Sequence, residues 1–222
     1  MTRTKEKSVL LERFGALDEV GAPLPPRYNV PPGDLVPAVV DDGGRKLRLF
    51  KWGLVPYWAK DEKLAYSCIN ARAETLEDKP AFREPFKKRR CLVVADGFYE
   101  WRKDKSPLWI TRADGALFAM AGLWDLWRAP DGRERRSLTI VTTAANEALA
   151  PIHERMPVIL DRDGEAGWLD ARADRTRLVG LLKPYPASGL TLTPVSKKVN
   201  APAYDRPDCV VADRYTPGTA AS

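Results

Sequence analysis

An ionised carboxylate at the end of an apolar strand is costly unless it is paired or put to use, and Glu100 holds such a place within Phe98-Tyr99-Glu100-Trp101. It reads equally as a proton donor and acceptor or as half of a buried ion pair. His153, the single histidine, stands between Pro151-Ile152 and Glu154-Arg155, as a structural hydrogen-bonder or as a proton-handling group. In Ile69-Asn70-Ala71-Arg72-Ala73-Glu74, strand alternation puts Asn70, Arg72 and Glu74 on one face, either a solvated edge or a binding face. Trp52, Pro56, Tyr57 and Trp58 cluster near Lys51 and Lys60, a mixture that suits a core or stacking on unpaired bases beside phosphates. Lys87-Lys88-Arg89-Arg90 is a solvated face or a phosphate-binding edge.

Other chemistries find little support. Cys68, Cys91 and Cys209 lie far apart and are odd in number, which suits reduced structural thiols rather than disulfides or a zinc knuckle. With one histidine and no acidic cluster at ligand spacing, no metal is expected. There is no Gly-rich phosphate loop and no G-x-S-x-G elbow, and no cofactor is expected. A net charge of +6 favours a polyanionic partner. No apolar run approaches the ~18 residues needed to span a membrane, and the start MTRTKEKS is too polar for a secretion signal, so a soluble, cytoplasmic protein is expected.

The elements that must position these residues are mostly strands. Strand-like runs cover 47–52, 91–95, 98–101, 108–111, 117–123, 138–142, 158–160 and 190–195. Helices are expected at 7–14, stopped by Gly15, at 144–150, stopped by Pro151, and at 175–182, with a turn around 164–169. Strands should outnumber helices by about three to one. Asp-Gly pairs at 96–97, 114–115, 131–132 and 163–164 punctuate the chain as turns. The prolines around Arg27-Tyr28-Asn29-Val30-Pro31-Pro32-Gly33 predict an ordered surface loop. The fold class is α+β, a mostly antiparallel sheet with helices at its margin, and 222 residues with 44% hydrophobic content make one domain over 1–222 the simplest division. The tail from Pro217 to Ser222 reads as disordered.

Five motifs occur in order: RYNVPPG at 27–33, KWGLVPYWAK at 51–60, INARAET at 69–75, ADGFYEW at 95–101 and IHERMPVIL at 152–160. Together they resemble the SOS response-associated peptidase (SRAP) family over a core of about 14–200, ending near Pro194-Val195-Ser196. The resemblance implies a curved, barrel-like sheet with peripheral helices. It also implies a DNA-damage function in which an N-terminal cysteine, freed by autoproteolytic removal of methionine, captures the aldehyde of an abasic site in single-stranded DNA as a thiazolidine. Both the α-amine and the thiolate are needed for that ring. Asn70 matches the residue that orients nucleophile and sugar, Glu100 the general acid and base, and His153 the group on the deoxyribose oxygen. Arg72, Trp58 and Arg155 match DNA-contacting positions, and Lys79 lies near another. The implied protein is a cytoplasmic monomer with peptidase and lyase character, its partner single-stranded DNA with abasic sites and, beyond that, the replication machinery.

The chain begins Met1-Thr2-Arg3 where the family begins Met-Cys-Gly-Arg. Aligning Leu11-Glu12-Arg13-Phe14-Gly15 with the family puts Met1 near the fifth position, so that about four residues, the nucleophile among them, would precede it. The favoured expectation is a natural product carrying Met-Cys-Gly-Arg before Met1. The alternative is a single-strand-binding module of the same fold in which Thr2 offers only an α-amine and Cys68, on the strand face of Asn70, lacks one. As given, the chain is expected to bind single-stranded DNA without forming a thiazolidine.

Overall fold

Gly15 ends the first helix, α1 (Lys7–Phe14), by adopting φ 58°, a left-handed conformation that costs an L side chain energy but glycine little. The computed structural model describes residues 1–213. The tail from Pro217 lies outside them. After α1 come β1 (Leu17–Asp18), β2 (Leu35–Asp41), β3 (Arg45–Trp52), β4 (Asn70–Arg72), α2 (Pro80–Lys88), β5 (Arg90–Ala95), β6 (Phe98–Trp101) and β7 (Pro107–Arg112). Then follow β8 (Phe118–Arg128), β9 (Glu134–Ala144), β10 (Arg155–Pro157), β11 (Ile159–Leu160), α3 (Arg162–Leu169), α4 (Arg175–Gly180) and β12 (Leu190–Pro194).

The order β3-β2-β5-β8-β9 closes on itself because β3 also pairs with β9, Lys51 opposite Ser137 and Trp52 opposite Leu138. The result is a five-stranded barrel, antiparallel except at this closing seam. Closure removes the open edges that would otherwise invite aggregation. β4 and β10 extend the sheet along β9, and β6, β7 and β12 form a separate small sheet. The α+β class with a curved, barrel-like sheet is therefore the observed fold.

Strand alternation explains the two main cores. Every residue of β5 is buried: Leu92 and Val94 pack with Phe14, Phe82, Phe86 and Trp168 of the helices, while Cys91, Val93 and Ala95 pack with Phe50, Phe118 and Met120. The three cysteines are free and buried, as reduced structural thiols should be.

Several local expectations need correction. Residues 144–150 are not a helix: β9 runs to Ala144, and the Asn146 side chain accepts the Leu149 N–H at 3.0 Å, closing a local turn ahead of Pro151. Asp163-Gly164 is no turn but the first turn of α3, whose cap is Asp161, accepting from the Gly164 N–H at 2.7 Å. Helix α2 and strand β2 were not expected, because Pro80, Pro85 and Pro37 disguise them. Segment 27–33 is not purely a surface loop, since Asn29 and Val30 are buried beneath the start of the chain. Glu74 leaves the face of Asn70 and Arg72, because β4 ends at Arg72 and 73–75 turns as a 3-10 helix.

Candidate functional site

Where the barrel meets the small sheet, a cavity of about 660 Å3 is walled by Trp52, Met120, Ile140 and Thr142 on one side and Phe98 to Trp101 on the other. Asn70, Arg72, Glu100, His153 and Arg155 all line it. Met1, which sequence reasoning missed, lines it too.

The first three residues are built into the wall. The Met1 amine donates to the Val30 carbonyl at 3.0 Å, and the Val30 N–H donates back to the Met1 carbonyl at 2.9 Å. Arg3 and Arg27 exchange a reciprocal pair of backbone bonds, and the Thr2 N–H donates to the Gly97 carbonyl at 2.8 Å. Asp96 gathers the other side, accepting from the Thr2 hydroxyl and from both the N–H and hydroxyl of Thr4, each at 2.6 Å. Arg3 is buried, its guanidinium donating to the carbonyls of Lys5, Leu24 and Pro25. Behind the opposite wall, Asp205 accepts from the N–H groups of Tyr28 and Asn29, and the Tyr99 hydroxyl donates to the Tyr28 carbonyl at 2.6 Å. The amine bonds to Val30, and the segment behind it is held by Arg27, Asp96 and Gly97, separations that no local pattern reveals.

Burial pulls the pKa of the Met1 amine down to about 5, against the opposing pull of Asp205 and Asp96. An amine of that kind is neutral, and therefore nucleophilic, at pH 7. Because the unfolded amine titrates near 8.0 and the folded one near 5, the folded state binds fewer protons between these values, and this group makes stability rise with pH across that window. Burial pushes the Glu100 carboxyl above the usual carboxylate range, against the pull of His153 and the Met1 amine. Among the described residues the Glu100 carboxyl has no hydrogen bond or ion pair, so the buried-ion-pair reading of this residue is not the one realised.

His153 Nδ1 lies 3.0 Å from both the backbone N–H and the carbonyl of Arg155. When Nδ1 accepts that N–H, the ring proton sits on Nε2, a donor for an oxygen in the cavity. The Asn70 amide makes no hydrogen bond among the described residues and stands ready as donor and acceptor. The two cations differ. Arg155 is held bidentately by Glu74, both bonds 2.8 Å, and donates to the Thr142 carbonyl at 2.7 Å. The Arg72 guanidinium has no hydrogen bond or ion pair among the described residues. Trp58, 47% exposed, and Lys79, just ahead of α2, do not line the cavity. Cys68 does not reach it either: it is buried in the core under the helices, and burial raises its thiol pKa. Met1 lines the cavity together with Asn70, Glu100 and His153.

These features define a barrel protein in which a buried amine and, among the described residues, an acid and an arginine without ion pairs converge in one cavity. The chain belongs to the SOS response associated peptidase (SRAP) family, whose profile matches residues 1–202. It is 44% identical over 191 residues to the abasic site processing protein YoqW of Bacillus subtilis, covering 83% of this chain and 85% of that one. It is 32% identical over 226 residues to the abasic site processing protein HMCES of Xenopus tropicalis, covering 84% of this chain and 66% of that one. A crystal structure of a protein from Bacteroides thetaiotaomicron superposes with a TM-score of 0.84 at 26% identity, covering 96% of this chain and 98% of that one. One from Bordetella bronchiseptica gives 0.74 at 30%, covering 88% and 98%.

Proposed function

We propose that this protein processes abasic sites in single-stranded DNA by presenting an N-terminal amine to the sugar aldehyde inside the cavity. The convergence of the buried Met1 amine with the unpaired Glu100 carboxyl carries this reading. Protonated Glu100 gives its proton to the ring oxygen as the sugar opens and takes one back from the C1 hydroxyl, which becomes the aldehyde, while His153 Nε2 donates to the same region. The amine nitrogen attacks the aldehyde carbon to give a carbinolamine, which loses water to an imine as Glu100 hands a proton to the departing hydroxyl. Asn70 orients the sugar, and Arg72 meets a flanking phosphate. Where a cysteine supplies the amine, its thiolate adds to the imine carbon and closes the thiazolidine. For a Met-Cys start, Glu100 also serves the peptidase step that releases the methionine. The thioether of Met1 cannot close the ring, and this favours a second reading for a chain starting at Met1: a binding module whose covalent chemistry ends at a reversible imine.

The two readings separate on abasic single-stranded DNA. Protein starting at Met1 should give an adduct only when cyanoborohydride is present, and protein given a Met-Cys-Gly-Arg start should give a heat-stable one without it. Absence of both adducts removes the proposal. The trapping rate should be bell-shaped in pH. One limb lies near pH 5, where the amine gains its proton, and the other follows the titration of Glu100, which burial shifts upward. An acidic limb near pH 8 would mean a solvated, ordinary amine.

The Arg155–Glu74 pair yields a smaller expectation. Replacing Glu74 by Gln releases Arg155 toward the strand, so affinity should rise and the salt slope of binding should steepen by about 0.7, the increment for one further neutralised phosphate. Fluorescence anisotropy across a salt series measures it, and an unchanged slope means that Arg155 meets no phosphate.

A further inference from the structure

We infer that an open depression beside the cavity binds the phosphodiester backbone of the strand that leaves it, an inference that rests on reading the cavity as an abasic-DNA site. The depression, about 450 Å3, is lined by Gly33, Leu35, Lys51, Leu126, Arg135 and Arg136, together with Leu49 and Glu134. Its charge is lopsided. Glu62 makes ion pairs with both Arg135 and Lys51, the latter at 4.0 Å, and so holds two cations side by side while neutralising only one charge. Arg136 is exposed, and its guanidinium has no hydrogen bond or ion pair among the described residues. The carboxylate in the wall, Glu134, is already engaged by Arg128 at 2.8 Å. What remains is a concave surface of net positive charge with an unused guanidinium, which concentrates anions.

Continuity with the cavity selects the anion. Pro32 lines the cavity and Gly33 the depression; Trp52 lines the cavity and Lys51 the depression. One peptide link on each of two elements separates the two hollows. At Gly33 the rim carries no side chain, and even a Cβ there would meet nothing within 4 Å, so a polymer can cross it. Leu35, 59% exposed, gives the sugar edge of a strand an apolar contact at the same rim. A polyanion already anchored in the cavity meets these cations next, and the planar guanidinium forks suit phosphate oxygens. An acidic peptide has no such anchor.

The test uses the full chain and the double variant Lys51→Ala/Arg136→Ala, whose residues lie outside the cavity. Binding is measured on oligothymidylates with a central abasic site, of about 4 and about 16 nucleotides, the range over which single-strand sites extend. The variant should bind the short strand as the wild type does and give the same trapped adduct with it. On the long strand it should bind more weakly, with a salt slope reduced by about 0.7 for each phosphate that the variant no longer neutralises. Unchanged affinity and slope on the long strand overturn the inference. So does equal weakening on both strands, or displacement of the long strand by polyglutamate as effective as by oligothymidylate. Failure of the wild type to form any adduct with the short strand overturns the cavity reading, and the inference with it; an intact adduct without length dependence overturns the inference alone.

Discussion

Glu100→Gln should slow adduct formation by about 10²- to 10⁴-fold, the usual contribution of a positioned general acid or base, while leaving affinity for abasic single-stranded DNA within about twofold. The reasoning is geometric. Among the described residues Glu100 lines the cavity without an ion pair or hydrogen bond to its carboxyl, so no bonded partner is stranded when the carboxyl becomes an amide. Burial favours the neutral acid, which glutamine copies in shape and charge but cannot copy in releasing a proton. Single-turnover trapping separates the rate from binding measured by anisotropy. Wild-type kinetics in the variant would remove Glu100 from the proton transfers, whereas abolished binding would make it a positioning residue. The variant should also lack the limb of the pH profile that belongs to Glu100, since no carboxyl remains to titrate.

Gly97→Ala should remove adduct chemistry more completely than it harms the fold. A Cβ at Gly97 would lie 2.1 Å from Trp109 Nε1 and 2.9 Å from the Thr2 hydroxyl oxygen, closer than atoms can pack. Trp109 donates to that same hydroxyl at 3.1 Å, and the Thr2 N–H donates to the Gly97 carbonyl, so ring and chain start are locked together over the glycine. Either the indole or the Met1–Arg3 segment must move. Overpacking of this kind costs about 1–3 kcal/mol. A shift of the amine by about 1 Å is enough to slow an oriented reaction by about 10²-fold. Denaturant melts give the first quantity, and trapping rates at a temperature where the variant is fully folded give the second. A variant that is destabilised but reacts at the normal rate would show that the indole yields and the amine stays in place.

Much of the fold was legible because it is written in local rules. Gly15 stops α1 by its backbone freedom, and the apolar runs of β5 and β9 mark them as buried strands. Glu100, Asn70 and His153 were legible as residue types, since a carboxyl ending an apolar strand and a polar alternation on an edge are visible without coordinates. Trp58 and Lys79, named from motif position as DNA-contacting, stand outside the cavity.

The sequence by itself determined which groups are available: one histidine, a strand-end carboxyl, and arginines at 72 and 155 within the motifs. Tertiary structure alone decided what each is free to do. Arg155 is spent on Glu74 although 81 residues separate them, whereas Arg72 is left open. Glu100 has no ion pair among the described residues, and burial, with the amine bonded to the Val30 carbonyl, pulls the Met1 pKa down against the pull of Asp205 and Asp96. Those outcomes depend on long-range contacts and on desolvation. Both change over distances of an ångström or two, a scale that spacing along the chain does not record.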